Sequence, residues 1–176
     1  MKKLTTDELH RVDIETFKKL EKSPFVIVLD NIRSLNNVGS VFRSADAFLV
    51  EAIYLCGITA QPPHKDIHKT ALGATESVNW KYFEQTIDAI KELKTQNYKI
   101  VSIEQAEDSV LLQDFKIDSR EKYALIMGHE VKGVDQNIID SSDYVLEIPQ
   151  FGTKHSFNIS VTTGIVLWEL FKQYKF

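Results

Sequence analysis

Residues 24–32 read PFVIVLDNI, residues 36–48 read NNVGSVFRSADAF and residues 51–57 read EAIYLCG. An unbroken apolar run such as Phe25 to Leu29 belongs to a strand buried on both faces, which is the habit of parallel sheets. Ser23-Pro24 stops any helix before it. In the next segment Val38, Val41, Phe42, Ala45 and Phe48 recur at helical spacing, and Asn36 or Asn37 is placed to cap them. The third piece is again extended and apolar. Strand, helix and strand joined by short connections make a βαβ unit.

The same alternation runs outward from there. TIDAIKELKTQN (86–97) is helical, YKIVSIEQA (98–106) and KYALIMG (122–128) are extended, VDQNIIDSSD (134–143) is helical, and YVLEIP (144–149) is a last strand. From Ser156 to Phe176 a final helix places Ile159, Thr163, Val166, Leu167 and Leu170 on one face. The expected fold is α/β, with a mostly parallel, doubly wound sheet. Before it, Leu4, Leu9, Val12, Ile14, Phe17 and Leu20 suggest an amphipathic helical arm over 1–22, leaving 23–176 as the main domain. The polar stretch from Gly57 to Trp80 is expected as a long loop, and loops of that length inside a domain usually serve a function.

Composition narrows the classes. The chain has 176 residues, 43% hydrophobic and 26% charged, with a formal net charge of -4. That composition suits one globular domain and excludes a disordered, collagenous or coiled-coil chain. No apolar run is long enough for a membrane span and the N-terminus has no signal-peptide core, so a cytoplasmic protein is expected. The single cysteine, Cys56, excludes an internal disulfide and a cysteine-based zinc site. An acidic chain does not coat nucleic acid by bulk charge, although a local basic patch remains open to it.

Ligands of doubly wound sheets bind beyond the carboxyl ends of the strands. Neither G-x-G-x-x-G nor a P-loop occurs there, which speaks against a dinucleotide enzyme or a P-loop NTPase. Three polar clusters occupy those ends instead: DNIRSLNNVGSVFRSADAF (30–48), GHEVKG (128–133) and IPQFGTKHSFNIS (148–160). Two of the four arginines, Arg33 and Arg43, fall in the first cluster beside Asn31, Asn36 and Asn37. Guanidinium forks suit phosphate, and amides both donate and accept. Taken alone, the same residues also read as helix caps and surface ion pairs. Gly39, Ser40, Ser44 and Ala45 would let another backbone approach, as in subunit packing. Ser156 and Asn158 open the last helix, where backbone N–H groups suit an anion, or they act simply as caps.

These clusters resemble, in order and spacing, the SpoU (TrmH-type) branch of the SPOUT RNA methyltransferases. The resemblance spans Phe25 to Leu170. It rests on Asn31, Arg33, Asn36, Gly39 and Arg43 in the first motif and on Gly128, Glu130 and Gly133 in the second. The third motif is matched by Ile148, Pro149, Gly152, Ser156, Asn158 and Ser160, and Trp168-Glu169 matches an aromatic-Glu pair. What the resemblance implies is an enzyme that moves a methyl group from S-adenosylmethionine to a ribose 2'-hydroxyl of a structured RNA, leaving S-adenosylhomocysteine. It favours tRNA, with ribosomal RNA or an inactive RNA-binding relative as alternatives. It further implies a homodimer and a deep C-terminal trefoil knot, with the chain from Phe151 onward threading the loop near Gly128 to Gly133.

By the same resemblance the cofactor lies among Leu125, Ile126, Met127, Gly128, Ile148, Pro149, Ser156, Phe157 and Asn158. Catalysis falls to Arg43, with Asn36, Ser156 and Asn158 orienting it and Glu130 placed beside them. RNA contacts fall to Asn31, Arg33, Arg43, Lys65 and Lys69. A guanidinium stays protonated in proteins, so Arg43 suits an electrostatic role better than that of a base. His129, Gln150 and Phe157 stand where the family often has Asn, Met and Leu, which bears on the lining of the pocket. No metal is expected: His64 and His68 lack a third ligand. His155 and Ser156 are adjacent and lack an acidic partner, so no hydrolase-type triad is expected. Trp80, Tyr82 and Phe83 offer base stacking, although packing is the commoner fate of such a group.

Overall fold

A computed structural model describes residues 1–5 and 7–176. After a short helix α1 (Ile14–Lys19), the chain enters β1 (Ser23–Asp30), α2 (Leu35–Ala47) and β2 (Val50–Cys56). Two short helices, α3 (Lys65–Ala71) and α4 (Ala74–Ser77), lead to β3 (Asn79–Phe83), α5 (Thr86–Thr95) and β4 (Tyr98–Ile103). Then come β5 (Val110–Leu111), β6 (Lys122–Met127), α6 (Gln136–Ile139), β7 (Tyr144–Glu147) and α7 (Ile159–Lys175). The seven strands form one sheet in the order β3-β2-β1-β6-β4-β7-β5. All six pairings are parallel.

The apolar run of β1 has the cause its sequence suggests. Phe25, Ile27 and Leu29 enter one core with α1, α2, α3, α4 and α7. Val26 and Val28, pointing the other way, enter a second core with α5 and α6. Ile159, Thr163, Val166, Leu167 and Leu170 are the buried face of α7. The opposite face leaves Val161, Ile165 and Trp168 exposed.

Several local expectations shift. The arm does not form one helix: His10 takes a left-handed backbone (φ 47°), and Asp13 starts α1 afresh by accepting the Thr16 N–H at 2.8 Å. Only Phe17 of its six apolar residues is buried. The 57–80 stretch contains α3 and α4, the former capped by His64. The N-cap of α2 is Ser34, not Asn36 or Asn37. Gly39 does admit another backbone, but within this chain: an added Cβ would lie 2.3 Å from the carbonyl of Ile67 in α3. No helix among the described residues is long and apolar enough to cross a membrane.

The strand order fixes where a site can form. From β1 the chain moves outward through β2 to β3, then returns so that β6 lies on the other side of β1. The connection leaving β1 goes to α2 on one face and the connection leaving β6 goes to α6 on the opposite face. Divergence of adjacent connections opens a crevice at the carboxyl ends, and that is where doubly wound sheets bind ligands.

Candidate active site

The loop after β6, residues 128–134, forms one wall. His129 and Gly133 exchange N–H···O bonds of 3.0 and 2.9 Å, closing the loop on itself. The imidazole Nδ1 of His129 accepts from the N–H groups of Val131 and Lys132 at 3.0 and 3.2 Å. Gly128 is required because a Cβ there would lie 2.4 Å from the backbone of Gly133. Gly133 has φ +71°, a left-handed conformation that suits glycine.

Glu130 reaches out of this loop to the chain leaving β1. Its carboxylate accepts the backbone N–H groups of Arg33 and Ser34, each at 3.1 Å, and the side-chain amide of Asn37 at 3.4 Å. Burial is the largest single influence and pushes the carboxyl up, but the backbone donors of Arg33, Ser34 and Glu130 itself, with the Asn37 amide, together hold it below its ordinary value. Asn37 in turn accepts from Asn158 Nδ2 at 3.2 Å, and Asn158 Oδ1 accepts from the Ser160 N–H and hydroxyl at 3.0 and 2.6 Å. The sense of this relay is fixed at both ends. Glu130 only accepts, so Asn37 turns its NH₂ toward it, and the Ser160 N–H only donates, so Asn158 turns its oxygen there. The ends of β1, β6 and β7 are thereby joined through four side chains.

Beside the relay lies a cavity of about 470 Å³. Its walls are the 128–134 loop, the end of β4 from Ile103 to Gln105, the end of β7 at Leu146, Ile148 and Gln150, and the entry to α7 from His155. That volume lies in the range of cofactor sites. Ile103, Leu146, Ile148, Phe157 and Ile159 make an apolar lining, and Glu104 and Glu130 supply carboxylates. Among the described residues no group of three or more His, Cys, Asp or Glu side chains is arranged to hold a metal.

Residues 24–168 match the model of the SpoU rRNA Methylase family. The chain belongs to that family. A 23S rRNA (guanosine-2'-O-)-methyltransferase of Salmonella typhi is 32% identical over 161 residues, covering 92% of this chain and 65% of the relative. A tRNA (guanosine(18)-2'-O)-methyltransferase of Aquifex aeolicus is 28% identical over 163 residues, covering 90% and 74%. This chain thus spans roughly two thirds to three quarters of the length of these curated relatives. Among solved structures, an AdoMet-bound rRNA methyltransferase from Sinorhizobium meliloti superposes with a TM-score of 0.80 at 24% identity, over 91% of this chain and 60% of that one. The seven-stranded parallel sheet is therefore the fold of SpoU enzymes.

Of the residues singled out from the SpoU motifs, Gly128, Glu130, Ile148, Ser156 and Phe157 line the cavity, while Pro149 and Asn158 flank it. Leu125, Ile126 and Met127 do not reach it. They are fully buried in β6, with Leu125 and Met127 in one core and Ile126 in the other. Asn36 is exposed, and its carbonyl accepts from Thr70 and Ser40, so the asparagine joined to the site is its neighbour Asn37. The missed signal was the cap: with the helix starting at Leu35, the side chain one position on from Asn36 turns toward α7.

Asn31 sits left-handed (φ 57°) and spends its amide internally, accepting from the Ile58 N–H at 3.1 Å and donating to Asp30 at 2.8 Å. It is a strut between β1 and β2. Arg33 projects from the Glu130-bound turn into solvent, and Lys65 and Lys69 are exposed on α3. Arg43 is exposed on α2, outside the cavity lining, with no ion pair or side-chain hydrogen bond among the described residues. Tyr82 donates to the Gly57 carbonyl at 3.0 Å and Phe83 stacks on Tyr54 with centroids 5.0 Å apart, so both are engaged in packing.

Proposed function

We propose that this protein methylates a ribose 2'-hydroxyl of a structured RNA, tRNA in the first place, using S-adenosylmethionine. The observation that carries the proposal is the Ser160–Asn158–Asn37–Glu130 relay, which joins three SpoU motifs beside a cavity of cofactor size. The lining suits that group: apolar walls for an adenine, carboxylates and backbone carbonyls for polar parts, and no pyrophosphate to cradle. Gly128, Ile148, Ser156 and Phe157 would line it, and Glu130 would keep the 128–134 wall in place. When bound, S-adenosylmethionine supplies a methyl group on a positively charged sulfur, which leaves as a neutral thioether. The ribose oxygen gains the methyl and loses its proton to water.

Arg43 is assigned to the target: its guanidinium holds a phosphate next to the reacting ribose and stabilises the oxygen as negative charge develops. Since Arg43 lies outside the cavity, a second element must bring it to the reacting atom. A second copy docked on the α2–α7 face supplies that element and covers Val161, Ile165 and Trp168. We therefore propose a homodimer, with the chain from Phe151 onward threaded through the loop near Gly128 to Gly133 as a trefoil knot. Residues 1–22 form an arm beside the 23–176 catalytic domain, and Arg33, Lys65 and Lys69 contact RNA phosphates. We further propose that the enzyme works in the cytoplasm.

The test is transfer of radiolabelled methyl from S-adenosylmethionine to total tRNA and, separately, to unmodified ribosomal RNA, followed by nucleoside mapping. A labelled 2'-O-methylnucleoside from tRNA is expected, and label in ribosomal RNA alone would move the substrate to that class. Failure to bind the cofactor in calorimetry would overturn the reading. Arg43→Lys should lower transfer by about 10²- to 10³-fold, the cost of removing one transition-state donor, with cofactor affinity unchanged. Full transfer by that variant would remove Arg43 from the mechanism.

A further inference from the structure

Glu104 belongs to none of the three motif clusters, yet it lies at the centre of the cavity's construction. It follows β4 directly, and its N–H donates to the Leu146 carbonyl at 3.1 Å, which pins it to the end of β7. Its Oε1 accepts the Gln105 N–H at 2.8 Å and its Oε2 accepts the Val134 N–H at 2.9 Å. Oε2 also occupies the space beside Gly133, where an added Cβ would lie 2.1 Å away. The carboxylate is thus held at both oxygens by backbone donors and cannot swing. Each oxygen keeps an unused lone pair, and the residue lines the cavity next to Ile103, Leu146 and Ile148.

A fixed pair of acceptors at the edge of an apolar wall has a specific complement, namely two hydroxyls on neighbouring carbons. O–H bonds to a carboxylate are among the stronger hydrogen bonds. An acidic residue takes a ribose hydroxyl in the same way in dinucleotide folds. An adenine laid against Ile103, Leu146 and Ile148 carries its ribose one bond away, so the diol comes to this edge. Resting on the cofactor proposed above, we propose that Glu104 binds the ribose 2',3'-hydroxyl pair of S-adenosylmethionine. The same carboxylate holds Val134, so ligand and loop share one anchor. Gln105 fixes the facing wall by donating from Nε2 to the His155 carbonyl at 3.2 Å.

The experiment is calorimetry on the full chain with S-adenosylhomocysteine and its 2'-deoxy and 3'-deoxy analogues, comparing wild type with Glu104→Gln. A hydrogen bond to a charged group predicts that wild type binds each deoxy analogue about 10- to 100-fold more weakly than the parent. In Glu104→Gln the parent should weaken by a similar factor and the parent-to-analogue ratio should fall toward unity. A residue that only braced the loop would weaken all three ligands equally and leave the ratio at its wild-type value, which would overturn the proposal. If Glu104→Gln does not fold, the wild-type ratio decides, because equal affinity for parent and analogues is enough to reject it. Wild type that binds no parent ligand would remove the cofactor reading and this inference together, whereas parent binding without discrimination would remove this inference alone.

Discussion

The carboxyl edge of the sheet holds two cavities of similar size, about 470 and 400 Å³, on opposite sides of β1, and they are built in opposite ways. In the larger one the carboxylates of Glu104 and Glu130 are spent on backbone N–H groups, which ties the loops after β1, β4 and β6 together. In the smaller one Asp30, only 2% exposed, is bonded to the hydroxyl of Thr86 and the amide of Asn31, with Glu84 and Asp135 also lining the space. One carboxylate set orders backbone for a ligand; the other is a buried acid among acids. That contrast separates a site preorganised for binding from a pocket whose buried Asp30 is bonded to side chains instead of loop backbone.

The glycines sharpen the contrast most. At Gly128 an added methyl meets only backbone, at 2.4 to 2.7 Å, and backbone cannot move without opening the loop. Gly128→Ala should therefore cost about 3 kcal/mol in chemical denaturation, an overpacking penalty, and abolish cofactor binding. At Gly57, beside the smaller cavity, the obstacle is the end of the Asn31 side chain, and φ is +61°. Gly57→Ala should cost only about 1 kcal/mol, chiefly the left-handed strain, and leave cofactor affinity intact. Equal losses at the two positions would show that both cavities depend on backbone closure to the same degree.

Glu130→Ala comes between them. It strands the N–H groups of Arg33 and Ser34 and the amide of Asn37, all partly open to water, for a loss of about 2 kcal/mol. Methyl transfer should fall with it, because Asn37 and Asn158 lose their fixed orientation. A variant with unchanged thermal stability and activity would mean that the relay does not hold the site.

The architecture was legible because its causes are local. Strands buried on both faces must be apolar throughout, and β1, β2 and β6 announce themselves by that rule. The motif clusters marked the strand ends correctly, yet two site residues stayed hidden. Choosing Asn36 over Asn37 turned on a helix start one residue earlier than Asn36, and one residue is a rotation of about 100° on a helix. Glu104 carried no signature at all: within SIEQAEDS it is one acid among three. Its role depends on Val134 and Gly133, some thirty residues away. A search of every strand end, that of β4 included, would have found it, since the sheet topology makes each one a candidate. The helices α3 and α4 were missed because polar, Pro-containing sequence resembles a loop until α2 offers a surface to pack on, with Gly39 admitting the backbone of α3.

The smallest effect is also the one that tests the two cavities against each other in a single titration. Asp30 is raised above the ordinary carboxylate value, first by burial and then by Asp135, against the lowering bonds of Thr86 and Asn31. A raised carboxyl binds its proton more tightly in the folded state, so its contribution to stability falls as pH rises from the unfolded value to the folded one. Glu130 is shifted the other way. Its contribution is present above the unfolded value and is lost as pH falls through the depressed folded value. The two windows therefore lie on opposite sides of the ordinary carboxylate range, about 4. Denaturation midpoints measured from pH 3 to 7 should show Asp30→Asn gaining on wild type only as pH rises above that range. Glu130→Gln should lose most at neutrality and approach wild type as pH drops below it. Parallel curves for the two variants would mean that Asp30 is as well satisfied as Glu130, and that the smaller cavity is no less organised than the larger.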